Sequence, residues 1–274
     1  MNYKIKDRNI DNMKHVSAGS NHYDYSADKY DAIYDKNAEI DDALIANILK
    51  QYKVKSIIDL SCGTGNQALY LARAGYEVSG ADINQKMLNV AKRKAKKLKV
   101  DCNLFLGDMR TSKAGQFDAA ITIFNAVGHL TKADFKKAMK NIGSNLRAGG
   151  IYVFDIFNLN YMLDKDNITA LTIDQMAIEK TRTIRKIQHS TVDHKGVLAS
   201  HTISIVTKDK TKSKTVHGSQ TLQIYSASEL EDMLAKCGLK IVKKCAIDGT
   251  RFSDKKTKHI LLVAKKDTKP KKSK

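Results

Sequence analysis

A short apolar segment that runs into a glycine-rich turn constrains the fold of this chain more than any other feature. The segment reads Ile57-Ile58-Asp59-Leu60-Ser61-Cys62-Gly63-Thr64-Gly65, and a helical pattern follows it from about residue 66 to 74. The apolar residues favour a buried strand, and glycines permit positive φ angles and close approach of the backbone to a ligand. The free N–H groups of the helix would point at the turn. This pattern predicts a site for the ribose and charged end of a nucleotide-like molecule.

Acidic residues follow the next two predicted strands. Asp82 ends the second strand, roughly twenty residues after the turn, where a carboxylate can accept hydrogen bonds from both ribose hydroxyls. Gly107-Asp108-Met109 follows the third, where an acid and an apolar side chain can hold the amino edge and the face of an adenine. The turn is not the dinucleotide type, because Ser61 and Asn66 stand where that motif requires glycine, and no P-loop lysine follows.

Alternating strand and helix patterns continue along the chain. They predict an α/β fold, with a doubly wound, mostly parallel, seven-stranded sheet, because such units place helices on both faces of a parallel sheet. Ligands bind beyond the carboxyl ends of these strands. The predicted strands are 56–60, 76–82, 103–107, 117–124, 151–157, 239–247 and 258–265, and the predicted helices are 41–52, 66–74, 84–98, 131–146 and 226–236.

A region without helical periodicity interrupts this pattern after the fifth strand. Residues 176–188, 197–208 and 215–225 alternate apolar and polar side chains and predict three antiparallel strands. The sequence therefore divides into a mobile N-terminus at 1–22, an α/β domain at 23–158 and 226–265, an antiparallel insertion at 159–225 that covers the substrate or forms a dimer, and a disordered basic tail at 266–274.

The formal net charge of +19 is concentrated in two places. The predicted helix after Asp82 is rich in lysine, and so is the tail from Lys265. Nucleic-acid surfaces more often mix arginine and aromatic residues with lysine, so a nucleic-acid partner is possible but not favoured. The sequence has no long apolar run and no metal-ligand spacing of cysteines, which predicts a cytoplasmic protein with no membrane partner and no metal.

The acids at 59, 82 and 108 together resemble those of the class I S-adenosylmethionine-dependent methyltransferases, which have a Rossmann-like fold. Within that class the chain is similar to small-molecule N-methyltransferases of the aminosugar type and, more distantly, of the glycine and sarcosine type. Besides the insertion, the similarity rests on the segments Ala27-Asp28-Lys29-Tyr30-Asp31-Ala32-Ile33-Tyr34, Gly107-Asp108-Met109-Arg110 and Phe124-Asn125-Ala126-Val127-Gly128-His129-Leu130. Ser61 departs from the glycine or alanine that is usual in the family.

The resemblance implies that S-adenosyl-L-methionine is the methyl donor and S-adenosyl-L-homocysteine the product. It also implies roles for individual residues: Tyr25, Tyr30 and Tyr34 would close over the site, Asp82 would hold the ribose, Asp108 and Met109 the adenine, and Phe124 and Asn125 would lie beneath the sulfonium. The remaining predicted cofactor contacts are Asp59, Ser61, Gly63, Gly65, Ile83 and Met87.

Methyl transfer from a sulfonium requires mainly positioning and desolvation, together with a neutral amine as nucleophile. A group that takes a proton or orients the amine lone pair would assist. His129 lies at the carboxyl end of the fourth strand and is the first candidate, and Tyr30 is the second. The predicted substrate is therefore an amine of a small molecule, and a homodimer is possible.

Three other functions remain open from the sequence. An RNA methyltransferase is one, although Phe124-Asn125-Ala126-Val127 replaces the Asn/Asp-Pro-Pro-Tyr/Phe motif of amino-directed nucleic-acid enzymes. A protein methyltransferase is another, and a regulator that binds S-adenosylmethionine without catalysis is the third.

Overall fold

The computed structural model describes residues 14–24, 27, 30–31, 42–164, 170–179, 182–208 and 212–268. Two sheets organise them, one of seven strands and one of four. The first sheet is parallel except at the strand His259–Lys266, labelled β11, which pairs antiparallel with both of its neighbours. It is therefore the mostly parallel sheet that the sequence predicts.

The strands of the seven-stranded sheet are β1 (Ser56–Asp59), β2 (Glu77–Asp82), β3 (Asn103–Leu106), β4 (Phe117–Thr122), β5 (Leu146–Phe157), β10 (Leu239–Ala246) and β11 (His259–Lys266). Across the sheet they lie in the order β10-β11-β5-β4-β1-β2-β3. The helices are α1 (Asp42–Gln51), α2 (Asn66–Arg73), α3 (Gln85–Leu98), α4 (Lys132–Asn145), α5 (Leu159–Leu163) and α6 (Ala227–Ala235), with a 3-10 helix at Ala126–His129. No described helix is both long and apolar enough to cross a membrane.

Two buried clusters hold the helices against the faces of this sheet. One includes Ile45 of α1, Ile57 of β1 and Leu88 of α3, and the other includes Phe135 of α4 and Phe154 of β5. Because β1 is buried at all four positions, both faces of the central strand are covered. Such burial is expected for a parallel strand between helical layers.

Side chains cap the first turns of two helices, α4 and α6. The Thr131 hydroxyl accepts a hydrogen bond from the Asp134 N–H at the start of α4, and the Ser226 hydroxyl accepts one from the Glu229 N–H at the start of α6. The end of α4 differs from the prediction. The helix stops at Asn145 and β5 begins directly at Leu146, because a register shift against β4 accommodates the two glycines inside the strand.

The inserted sheet has four strands rather than the predicted three: β6 (Ala170–Glu179), β7 (Arg182–Val192), β8 (Val197–Lys208) and β9 (Lys212–Gln223). The predicted strand 176–188 was wrong, since β6 and β7 pair antiparallel, with Glu179 opposite Arg182. The stretch 178–182 has no glycine, proline, asparagine or aspartate to signal a turn, and only a run of five polar residues, 179–183, marks the reversal in the sequence.

A backbone bridge joins the inserted sheet to the larger one. Asn158, after β5, forms a parallel bridge with Tyr225, which follows β9. The Leu159 N–H donates to the Tyr225 carbonyl oxygen at 2.9 Å. Both ends of the insertion therefore lie at the same edge of the seven-stranded sheet, close to the carboxyl end of β5.

Candidate active site

A pocket opens at the carboxyl ends of β1, β2 and β4, where the strand order reverses between β1 and β4. This is the position at which open α/β sheets bind ligands. The residues proposed from sequence that line it are Tyr30, Asp59, Ser61, Gly63, Asp82, Ile83, Met87, Met109, Phe124 and His129. Gly65, Asp108 and Asn125 are not among the lining residues, and Tyr25 and Tyr34 lie outside the described residues.

A hydrogen bond from the backbone of the glycine turn to the Asp82 side chain joins the turn to the end of β2. The Gly63 N–H donates to Asp82 Oδ2 at 2.7 Å, and the Asn84 N–H donates to Asp82 Oδ1 at 2.8 Å. Both glycines of the turn have positive φ, 53° at Gly63 and 84° at Gly65. At Gly65 the space is taken by α3, because an added Cβ would lie 3.0 Å from the Ala91 Cβ. Gly65 therefore serves close packing beside the pocket.

One buried carboxyl group, Asp59, and one half-buried carboxyl group, Asp82, give the pocket its electrostatic character. Burial raises the pKa of Asp82. Burial raises the pKa of Asp59 to about 7. The hydrogen bond from the Ser61 N–H opposes this effect, and the charge of Asp82 adds to it. The Ser61 N–H donates to Asp59 Oδ1 at 3.0 Å. Desolvated carboxylates of this kind favour a cationic ligand group nearby.

Asp108 faces Arg110 rather than the pocket. Arg110 Nε donates to Asp108 Oδ1 at 2.9 Å and Nη2 donates to Oδ2 at 2.5 Å. Although burial opposes the effect, these hydrogen bonds lower the pKa of Asp108. Arg110 Nη1 also reaches Asp134 at 2.8 Å. Of the predicted adenine pair, Met109 alone lines the pocket.

Phe124 and Asn125 both have left-handed backbone conformations, with φ of 65° and 56°. The Asn125 N–H donates to Asp155 Oδ2 at 2.7 Å, and Asn125 Oδ1 accepts from the Phe157 N–H at 3.3 Å. Asp155 is fully buried and its Oδ2 lies 2.6 Å from His259 Nε2. Two consecutive non-glycine residues with positive φ are unfavourable, so these contacts from β5 hold the turn. Asn125 supports the backbone while Phe124 lines the pocket.

An aromatic cluster of His22, Tyr23, Tyr30 and His129 lines the pocket. The Tyr23 hydroxyl lies 2.8 Å from His129 Nε2, and ring centroids are separated by 5.0 Å for His22 and His129 and by 5.4 Å for Tyr23 and Tyr30. Burial lowers the pKa of His22. Burial, with the charges of His22 and His15, lowers the pKa of His129 to about 4. Both imidazoles are therefore neutral near pH 7.

Sequence reasoning missed several residues of this site. His22 and Tyr23 fell in a region that has no periodicity, although the adjacent tyrosines were a usable signal. Gln67, at the start of α2, is buried and lines the pocket, and its side-chain amide has no hydrogen-bond partner within the described chain. Such an orphaned amide fits a ligand with polar groups at the helix N-terminus. No group of metal-ligating side chains is present in the described part of the chain.

Comparisons with known proteins agree with this geometry. Residues 57–150 match the family model of a methyltransferase domain. The chain is 28% identical to YqeM, a Bacillus subtilis protein named as a methyltransferase, over 68% of this chain and 73% of that one. It is 30% identical to human glycine N-methyltransferase, over 44% of this chain and 47% of the relative, so it spans about half of that protein.

A solved structure shares the fold over most of the chain. It is CalS10 with bound S-adenosylmethionine, an amino pentose methyltransferase of Micromonospora echinaspora. The match has a TM-score of 0.70 and 21% identity, and it covers 86% of this chain and 96% of the other. At this identity the likeness establishes the fold alone.

Proposed function

We propose, from the premise that residues 57–150 are a class I methyltransferase domain, that the protein is an S-adenosylmethionine-dependent enzyme that methylates an amine of a small molecule. One observation carries this proposal. The nucleotide-binding elements, Gly63 and Asp82, and the hydrogen-bonded pair Tyr23 and His129 line the same pocket. The donor site and a set of polar aromatic groups suited to an acceptor amine are therefore adjacent.

The residues present fit S-adenosylmethionine. Each Asp82 oxygen accepts one backbone N–H and retains acceptor capacity for ribose hydroxyls. The buried amide of Gln67 fits the polar amino-acid end of the molecule. Burial raises the pKa of Asp59, and a neighbouring cation would stabilise the ionised form of this carboxyl group. When bound, the donor supplies an activated methyl group.

The protein contributes positioning and exclusion of water. His22, Tyr23 and Tyr30 come from the N-terminal part of the chain and line the pocket together with His129 from the 3-10 helix. His129, with its pKa near 4, is a neutral hydrogen-bonding group at pH 7. It orients an amine lone pair directly or through the Tyr23 hydroxyl, and the amine must arrive deprotonated or lose its proton to solvent. The amine's own pKa therefore sets the pH dependence.

The small-molecule class is supported by the N-terminal part of the chain beside His129 and by the similar proteins. The Ala18 N–H donates to the His129 carbonyl oxygen at 2.9 Å, so the N-terminal part passes directly over the 3-10 helix. Both an amino pentose methyltransferase and glycine N-methyltransferase are named for small acceptors. We propose the same class here. An RNA acceptor is the alternative to test, because the net charge is +19.

Isothermal titration with S-adenosylmethionine and S-adenosylhomocysteine tests the cofactor. We expect micromolar binding in the unaltered protein and a loss of about 100-fold or more in Asp82→Ala, since the ribose would lose two charge-assisted hydrogen bonds. Asp101→Ala, which removes an exposed acid outside the pocket, is the matched control. No binding by folded, unaltered protein would refute the proposal.

A radiolabelled methyl-transfer screen tests the acceptor. Aminosugar nucleotides, glycine, sarcosine, simple amines and total RNA are compared at two salt concentrations. Transfer to a small amine, reduced in His129→Ala, supports the proposal. Transfer to RNA alone, with a steep salt dependence, would replace it.

A further inference from the structure

The lysines of α3 do not all face solvent. Most of them, including Lys92 and Lys97, are exposed, but Lys86 and Lys94 form ion pairs with acids from the N-terminal segment, which is the described part of residues 14–31. Positions 86 and 94 are eight residues apart in the sequence, or roughly 12 Å along a helix. The helix therefore offers two separate attachment points to this segment.

The attachment at Asp31 has three partners. Asp31 Oδ1 accepts from the Thr64 hydroxyl at 2.5 Å and from Asn66 Nδ2 at 3.1 Å, and Oδ2 accepts from Lys94 Nζ at 2.7 Å. Lys94 also donates to Asn66 Oδ1. Thr64 is buried, and the side chains of Lys94 and Asp31 are 26% and 30% exposed. Charge-assisted hydrogen bonds in such a partly buried network are stronger than those of an exposed ion pair.

The attachment at Asp24 is the weaker of the two. Asp24 accepts from Asn84 Nδ2 at 3.0 Å and pairs with Lys86 Nζ at 3.0 Å. Their side chains are 59% exposed for Lys86 and 38% for Asp24. Exposed pairs of this kind contribute little and are screened by salt. The network around Asp31 is therefore the main connection.

Both ends of the Asp31 network reach the pocket. Thr64 of the glycine turn and Asn66, the first residue of α2, line the pocket, as does Tyr30, the residue before Asp31. Movement of Asp31 away from Lys94 would displace Tyr30, which contacts Tyr23 in the aromatic cluster. The network thus connects the turn that faces the cofactor with the side chains that face the acceptor.

We infer that Asp31 and Lys94 are positioning residues that fasten the N-terminal segment onto the glycine turn and so complete the binding pocket. This inference rests on the proposed function for its consequence in catalysis. The attachment of the segment itself does not depend on the proposed function and is measured separately. Lys94 acts through Asp31 and Asn66 and does not line the pocket.

Charge reversal provides the test. The variants are Asp31→Lys, Lys94→Asp and the double exchange, with Lys97→Asp as an exposed control on the same helix. We expect each single reversal to weaken S-adenosylhomocysteine binding about tenfold and to raise the KM of the acceptor more than it lowers kcat. The double exchange should recover binding to within about threefold of the original, and the control should bind normally. Thermal melting establishes that every variant is folded.

Hydrogen exchange of the ligand-free protein supplies a second measurement. Peptides from residues 14–24 should lose protection in both single reversals and regain it in the double exchange. Normal binding and protection in the single reversals would overturn the inference, as would a folded double exchange that is no better than either single variant. If the unaltered protein binds no S-adenosylmethionine, the proposed function fails, and the exchange measurement still decides whether the attachment exists.

Discussion

Replacement of the buried acid at the end of β1 should make the protein's stability less dependent on pH. Asp59 is 2% exposed, and burial is the main cause that raises its pKa from 3.8 to about 7. The folded protein therefore holds a proton between about pH 4 and pH 7, where the unfolded chain has released it. For a carboxyl group whose pKa is raised by folding, stability falls as the pH rises through this window and remains low above it.

The size of the effect follows from the two pKa values. Their separation of about 3 corresponds to about 4 kcal/mol of lost stability at high pH. From pH 5.5 to pH 8.5 the same linkage gives a decrease of about 2 kcal/mol in the free energy of unfolding. Asp59→Asn has no ionisation at this position, so its free energy of unfolding should fall by about 2 kcal/mol less over this range.

Urea denaturation at pH 5.5, 7.0 and 8.5 measures this difference. Asp118→Asn is the control: although burial opposes it, hydrogen bonds from the Ser56 N–H and Arg147 hold the pKa of Asp118 at about 2. Its replacement should shift stability equally at the three pH values. Parallel profiles for the unaltered protein and Asp59→Asn would refute the reasoning, since they would mean that Asp59 is ionised at pH 5.5.

Three other changes test smaller parts of the structure. Because burial lowers the pKa of His129 to about 4, His129 should contribute no inflection near pH 6.5 to the pH profile of kcat/KM. An inflection there that is lost in His129→Gln would contradict this pKa. Gly196→Ala should cost more than about 1 kcal/mol in urea, because the new Cβ would lie 2.3 Å from the Ile224 carbonyl oxygen at a φ of +81°. Gly218→Ala, which meets nothing within 4 Å, is its control, and equal effects would argue against the clash. Ser226→Ala should cost about 1 kcal/mol in urea by removal of the α6 cap, and an unchanged midpoint would argue against capping.

The seven-stranded sheet was predictable because its local and long-range signals agree. β1 is apolar on both faces and ends at the glycine turn, and α4 begins at a threonine that caps it. The first hairpin of the inserted sheet was harder to predict, since only the polar run 179–183 marks it and that run has no glycine, proline, asparagine or aspartate. Without such a turn residue, pairing with the neighbouring strand decides where a strand reverses.

The site was predictable in part for a similar reason. Asp59, Gly63 and Asp82 follow from their places at strand ends, where the sheet fixes direction. The contacts of Asp108 and Asn125 depend on residues that the strand pattern does not specify. Asp108 accepts a hydrogen bond from Arg110, and the Asn125 N–H donates to Asp155. Side-chain partners of this kind are set by tertiary packing rather than by periodicity.

The bridge between Asn158 and Tyr225 lies between the seven-stranded sheet and the inserted sheet. Bridged residues lie roughly 5 Å apart, a gap that a short loop can span, so the seven-stranded sheet remains continuous whatever lies between these positions. No described residue of β6–β9 is among those that line the pocket. A change in the length of these strands would therefore leave the lining of the pocket and the register of β5 in place.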